Sequence, residues 1–470
     1  MKRYRLYIWT SCLLAVIGLM TACSADGLTA TEPQPAQESV RTARYINLRI
    51  VSGSSQPTRA SEQEENAVYD GILAIFEGAD ERSATLKSAV VIDQLINNPG
   101  TGTSISITQR LSPLAPRPSP LASHLYVLAL LNTTATGLTV SNNVLYLNGL
   151  SLAGKTISEV QSQEINGVGS PDEHVGLFMS NAPQSTYIMP EATALFDTEE
   201  EARQTGAATV TLQVERAAAK VSVTNTATTL SSILLNGVAT SHPKVHQMTW
   251  TVNKYQTQSY VVRKGYTAAA NWATSVSHTP TVYTANTSHL SPLSSQFSYS
   301  GDEVYIAENT TSTADQQTEV IVEVQLKDAS SMLLGDCYTF HPYGGEQTTL
   351  FTSTTALISY LKSGLTNEQK VTYNLSARTA DEVYKNPEVY IHADGSVTLT
   401  LSNESFNATE KTGLASLATA LSGWLTGYRQ GRMYYTYKIK HDDTPTYGVV
   451  RNNAYQLTFG SPTSIGRATP

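Results

Sequence analysis

Apolar and polar residues alternate in short stretches along most of the chain. Each stretch closes on glycine, proline or small polar residues, the pattern of many half-buried strands. Residues 44–51 open the series: Ile46, Leu48 and Ile50 share one face, and Asn47 and Arg49 point the other way. Residues 52–66 break it with Gly53, Pro57 and a polar run. Residues 68–76 and 124–131 are apolar nearly throughout and predict central strands. Residues 84–98 fit either a helix or a strand followed by a polar loop. A short helix is expected at 158–165, a short buried strand at 176–180, and a solvated loop at Glu199, Glu200 and Glu201. Residues 209–214 alternate cleanly and run on into 215–223, which places a domain boundary close to Arg216. Beyond it, strands are predicted at 247–252, 259–263, 304–307, 318–326, 389–391, 396–401 and 434–439. Residues 354–361 and 413–421 have helical spacing but too little length to stand alone. No fixed-period repeat occurs, which argues against solenoids and propellers.

The strongest pattern comes near the end. Residues 447–459 read as strand, tight turn, strand. Val449 and Val450 suit a strand, and Asn452-Asn453 suits a turn because Asn tolerates positive φ. Tyr455, Leu457 and Phe459 then share one face, with Gln456 and Thr458 on the other. Their spacing repeats that of Ile46, Leu48 and Ile50. Either set can bury one apolar face and complete a sheet edge. At ~1.5–3 kcal/mol for each fully buried side chain, three contribute about 5–9 kcal/mol before ordering costs.

Composition narrows the class. The chain has 470 residues, enough for two or three domains, with 15% charged residues and 25 Tyr against 8 Phe. Recurrent Thr, Ser, Val and Tyr favour an all-β fold. A net charge of −8 with no basic cluster argues against a nucleic-acid partner. Lys2, Arg3 and Arg5 precede an apolar run over 6–20, too short for a comfortable membrane span and typical of a signal peptide, here 1–22. The run ends in Leu19-Met-Thr-Ala-Cys23, which resembles a bacterial lipobox with Met20 where Leu is usual. Cys23 is the expected lipidation site. Residues 24–40, with Pro33 and Pro35, read as a flexible tether. The mature chain then keeps one thiol, Cys337, so no internal disulfide can form and stability must come from core burial. Cys337 itself reads as a small buried hydrophobe in a strand.

Catalytic patterns are absent from the sequence. It has no Gly-x-Ser-x-Gly elbow, His-Glu-x-x-His pair or Cys-x-x-Cys. His242 and His246 are four apart, but Pro243 lies between them. Asp442 and Asp443 are adjacent, so in a strand they diverge and cannot converge on one glycosidic bond. Trp250, Trp272 and Trp424 suit packing better than sugar stacking. No catalytic residue, metal site or cofactor is expected, and the chain is not read as an enzyme.

Several stretches resemble the fimbrillins of Bacteroidia type V pili, most closely the minor-fimbrium shaft subunits. They are the lipobox; Arg59 after the first strand; Val214-Glu-Arg216-Ala-Ala-Ala-Lys220-Val; Trp250-Thr-Val-Asn-Lys-Tyr with Ser259-Tyr-Val-Val-Arg263; Tyr305-Ile-Ala-Glu-Asn309; and Gly431-Arg-Met-Tyr-Tyr435 running to Tyr447-Gly-Val-Val-Arg-Asn452. The last group is the most specific; 80–120 and 365–410 show no resemblance. The resemblance implies two transthyretin-like β-sandwich domains with a few short helices. It implies a lipoprotein precursor at the outer membrane and an arginine-specific protease that cuts the loop after the first strand. That strand leaves, and a C-terminal strand of another copy fills the groove. Anchor and tip subunits, adhesion, biofilm formation and surface receptors are expected of such a fibre.

The expected organisation follows. Residues 1–22 are the signal peptide, 23–59 a lipidated propeptide with the removable strand, 60–216 the N-terminal domain, and 217–470 the C-terminal domain with a donor strand near 447–459. Arg41 precedes the strand and Arg44 stands at its start, so a cut at either leaves it attached, and pairing protects Arg49. Arg59 lies in a Pro- and Ser-rich loop, which points to cleavage between Arg59 and Ala60. Two alternatives are an anchor or accessory subunit that keeps its lipid, and a surface glycan-binding lipoprotein.

Overall fold

The computed structural model describes residues 44–52, 64–93, 95, 104–111, 124–171, 175–183, 187–263, 290–311, 313–342, 348–441 and 448–470. Alternating and continuous apolar runs become strands, and the chain is mostly β. Seven strands build the first sheet: β1 (Arg44–Ser52), β2 (Gly71–Gly78), β3 (Thr85–Val91), β4 (Ser104–Leu111), β5 (His124–Leu131), β6 (Met179–Asn181) and β7 (Val210–Arg216). Their spatial order is β3-β2-β5-β6-β7-β1-β4. β2 is apolar on both faces because it separates two cores: Ile72, Ala74 and Phe76 enter one, Leu73 and Ile75 the other. The ambiguity over 84–98 resolves for Thr85–Val91, which is a strand paired with β2.

β8 (Ala218–Asn225) follows β7 after a single residue, Ala217. The core changes along this run. Val210, Leu212 and Val214 pack in the first half, whereas Ala219, Val221 and Val223 join another cluster around Trp250. That cluster lies between two sheets built from β8, β9 (Lys244–Asn253), β10 (Ser298–Tyr299), β11 (Glu303–Ala307), β12 (Glu319–Lys327), β13 (Arg432–Lys438) and β14 (Ala454–Phe459). The orders are β11-β8-β14 and β10-β9-β12-β13. Trp250 is fully buried and its indole N–H donates to the Tyr299 carbonyl at 2.8 Å, which removes it as a sugar platform.

A further core lies within 338–425, on helices Thr354–Gly364 and Ala408–Ser422 and the hairpin Asn386–Ile391 with Val397–Ser402. Both helices were legible from their spacing, and Ser353 and Asn407 cap their first turns. Three local expectations fail. The short helix covers only Ile157–Gln161, and Glu164–Ile165 is a strand paired with Ser259–Tyr260. Glu199–Arg203 is a helix, not a loop: Thr198 and Glu201 form a reciprocal capping box, and three glutamates suit the positive end of a helix. Of the strand, turn and strand read over 447–459, the described residues before the turn, 448–451, do not form a strand. Val449 makes only an isolated bridge to Asn309, and β14 pairs with β8.

Candidate functional site: the first and closing strands

β1 is an interior strand. It runs parallel to β7, with Leu48 opposite Val210 and Ile50 opposite Leu212. It runs antiparallel to β4, with Leu48 opposite Ile107 and Ile50 opposite Ile105. Ile46 and Leu48 are 0% exposed and Ile50 is 1% exposed. On the other face Asn47 Nδ2 donates to Thr209 Oγ1 at 3.2 Å and Arg49 Nε to Ser104 Oγ at 3.1 Å; at the start of the strand Arg44 pairs with Asp197 at 3.0 Å. Taking β1 out therefore opens a slot floored by aliphatic side chains and flanked by unpaired backbone on both β7 and β4.

β14 occupies a weaker seat. It lies at a sheet edge, parallel to β8, with Tyr455 opposite Val221, Leu457 opposite Val223 and Phe459 opposite Asn225. The three side chains share one face as expected, but they are only half-buried against the second core. Beside them is a cleft of about 500 Å³, walled by Val223, Val320, Val322, Tyr435, Leu457 and Phe459. The Tyr435 and Phe459 rings stand 5.3 Å apart. The Tyr455 hydroxyl accepts from the Val450 N–H at 2.8 Å and lies 2.9 Å from His441 Nδ1.

Both ends of β14 are fastened. At its start, Asn452 has φ +59°, the left-handed turn conformation read from the sequence. Its N–H donates to Ala218 O at 2.8 Å. Arg451 is 0% exposed and reaches Glu308 at 2.6 Å, Ser259 Oγ at 3.2 Å and Tyr260 O at 3.0 Å. Gly448 has φ +136°, and a Cβ there would overlap the Asn309 carbonyl oxygen. Beyond the strand, the tail wraps β13: Arg467 and Tyr434 exchange backbone hydrogen bonds at 2.8 and 2.9 Å, and Ser232 Oγ donates to Pro462 O at 2.6 Å.

The joint motif that the sequence singled out is a buried ion-pair site, which spacing alone did not reveal. Glu215 holds Arg263 at 2.5 Å, and Lys220 lies 2.5 Å from Glu303 and 2.8 Å from Glu65. Burial alone pushes the Lys220 ammonium down, but hydrogen bonds to Glu303 and Glu65 outweigh it and hold its pKa above the ordinary lysine value. Burial, then Glu65, raises the Tyr305 phenol well above its ordinary range. The available signal was the run of charged residues within an otherwise apolar strand pair, since buried charges are found paired. Cys337 is buried, and its thiol is pushed up to about 12 by burial and by Asp336. Among the described residues no group of three side chains suits a metal ion. Cys23, Arg59, Ala60, Tyr447, Trp272, Asp442 and Asp443 lie outside the described residues.

No family model matches the chain, and no curated protein matches it. Solved structures do. A fimbrial assembly protein from Parabacteroides distasonis aligns over 60% of this chain and 84% of its own, with a TM-score of 0.32 and 13% identity. The tip fimbrial protein of Porphyromonas gingivalis, truncated at its C-terminus, aligns over 61% and 79%, with a TM-score of 0.28 and 7% identity. Both of these likenesses are to fimbrial proteins.

Proposed function

We propose that the chain is a structural subunit of a surface fimbrium that serves adhesion, made as a lipoprotein precursor on Cys23 and assembled by strand exchange. Residues 60–216 and 217–470 act as its N- and C-terminal domains. The protease cuts between Arg59 and Ala60, β1 leaves with the propeptide, and β14 of another copy takes its place. One observation carries this reading. β1 runs parallel to β7 and β14 runs parallel to β8, so the two strands sit in like orientation along one nearly continuous run. A strand moved from the second position to the first keeps its direction and its in-out alternation. Tyr455, Leu457 and Phe459 then face the floor that Ile46, Leu48 and Ile50 cover in the precursor. The exchange is favourable because it trades a half-buried edge seat for a closed one, paired on both sides. Head-to-tail exchange does not close on itself and builds a filament.

N-terminal sequencing of assembled fibres tests the cut. Chains that begin at Ala60 support a shaft subunit. Chains that begin at Cys23 refute it and favour an anchor that keeps its lipid.

A further inference from the structure

A buried charge cluster joins the segment just past the expected cut to the root of the closing strand. Glu65 stands in a short 3-10 turn, Glu64–Asn66, six residues after Arg59. Its carboxylate is 1% exposed. It accepts from Arg216 Nη1, from Lys220 Nζ at 2.8 Å and from the Tyr305 hydroxyl at 2.7 Å. Arg216 turns its other edge toward the turn before β14, where Nε donates to Asn452 Oδ1 at 3.1 Å. The Lys220 N–H donates to Asn453 O at 2.9 Å. The Arg216 guanidinium thus bridges Glu65 and Asn452, whereas Lys220 meets Glu65 through its ammonium and the turn through its backbone.

The cluster balances two carboxylates, Glu65 and Glu303, against two cations. With Arg216 and Lys220 each only 7% exposed, losing Glu65 leaves buried positive charge in excess. Arg216 has Glu65 on one edge and Asn452 on the other. In the uncut chain Glu65 is tethered to β1, which is itself locked between β7 and β4. A cut at Arg59 followed by loss of β1 removes that tether.

We propose that Glu65 is a latch: through the Arg216 guanidinium it keeps the root of β14 docked in the uncut chain, and cutting the chain upstream of it loosens β14. This rests on the strand-exchange reading and adds an order to it. A subunit gives up its closing strand readily only after its own first strand has been released. Uncut precursors are thereby kept from engaging one another.

Amide hydrogen exchange on the monomeric precursor tests the latch, read on peptides covering β14 against peptides covering β9 and β12. In Glu65→Gln, β14 exchanges about tenfold faster and β9 and β12 stay unchanged. Nicking the wild-type chain with an arginine-specific protease within 53–63 gives the same acceleration. Nicking Glu65→Gln adds little, because both act on one step. A role in stability alone predicts independent effects that multiply, and that outcome overturns the latch, as does an unchanged β14. If Glu65→Gln also loosens β9 and β12, Arg216→Lys decides. It keeps the charge facing Glu65 and removes the donor to Asn452, so acceleration confined to β14 supports the latch and no acceleration overturns it. The measurement precedes polymer growth, so normal fibres from a Leu457→Asp subunit would defeat strand exchange without deciding the latch.

Discussion

Leu457→Asp separates the two seats of the closing strand. In the precursor Leu457 is half-buried beside an open cleft of about 500 Å³, so a carboxylate there can turn toward water. The loss is the partial burial of one leucine, about 1–2 kcal/mol. In the vacated β1 slot the same position faces Ile105, Ile107, Val210 and Leu212, where Leu48 is 0% exposed. An unpaired carboxylate there loses the whole leucine contribution and adds a desolvation cost, together about 5 kcal/mol or more. The difference of at least ~3 kcal/mol weakens strand insertion on the order of a hundredfold. The assay has two parts. Thermal melting of the uncut monomer should show a small downward shift, and protease-triggered growth, followed as ladders resistant to mild denaturant, should stop at monomers. Ladders of normal length from this variant would refute the assignment of β14 as donor.

Other outcomes follow from the same geometry. Leu48→Ala should destabilise the precursor by about 2–5 kcal/mol and leave the cut, β1-free chain unchanged, measured as denaturant midpoints before and after cleavage. Glu410 is held below the ordinary value of 4.5, chiefly by its hydrogen bonds to Arg378 and then by the Asn407 backbone. A lowered carboxylate stabilises above its unfolded pKa, and that contribution is lost as pH falls through the lower folded value. The difference in melting temperature between the wild type and Glu410→Gln should therefore narrow on going from pH 7 to below pH 4. With its thiol pushed up to about 12, Cys337 should resist alkylation at pH 8 in the folded chain and react promptly in denaturant.

The one-faced strands were legible because a period of two needs no knowledge of neighbours. Ile46, Leu48 and Ile50 are buried as their spacing requires, and Tyr455, Leu457 and Phe459 share a face. The Asn452 turn was legible because a left-handed backbone restricts residue type. The partner of β14 was not. The apolar pair before the turn reads as a strand, yet Val449 and Arg451 are held by Asn309 and Glu308 on a distant segment, and β14 pairs with β8. The helix at Glu199–Arg203 was missed because three adjacent acids resemble a solvated loop unless the Thr198 cap is weighed with them.

The sequence by itself determined the strand-rich class, the alternation of each strand and the like spacing of the first and closing strands, since all are set by side-chain order along an extended backbone. Tertiary structure alone decided three things: that β1 is interior, that β14 sits at a half-closed edge, and that both run parallel to β7 and β8. Parallel neighbours are joined through long connections, so their pairing depends on which distant surfaces find burial together. The same holds for Glu65, whose partners lie 151 and 155 residues away and which nothing local distinguishes from a surface glutamate.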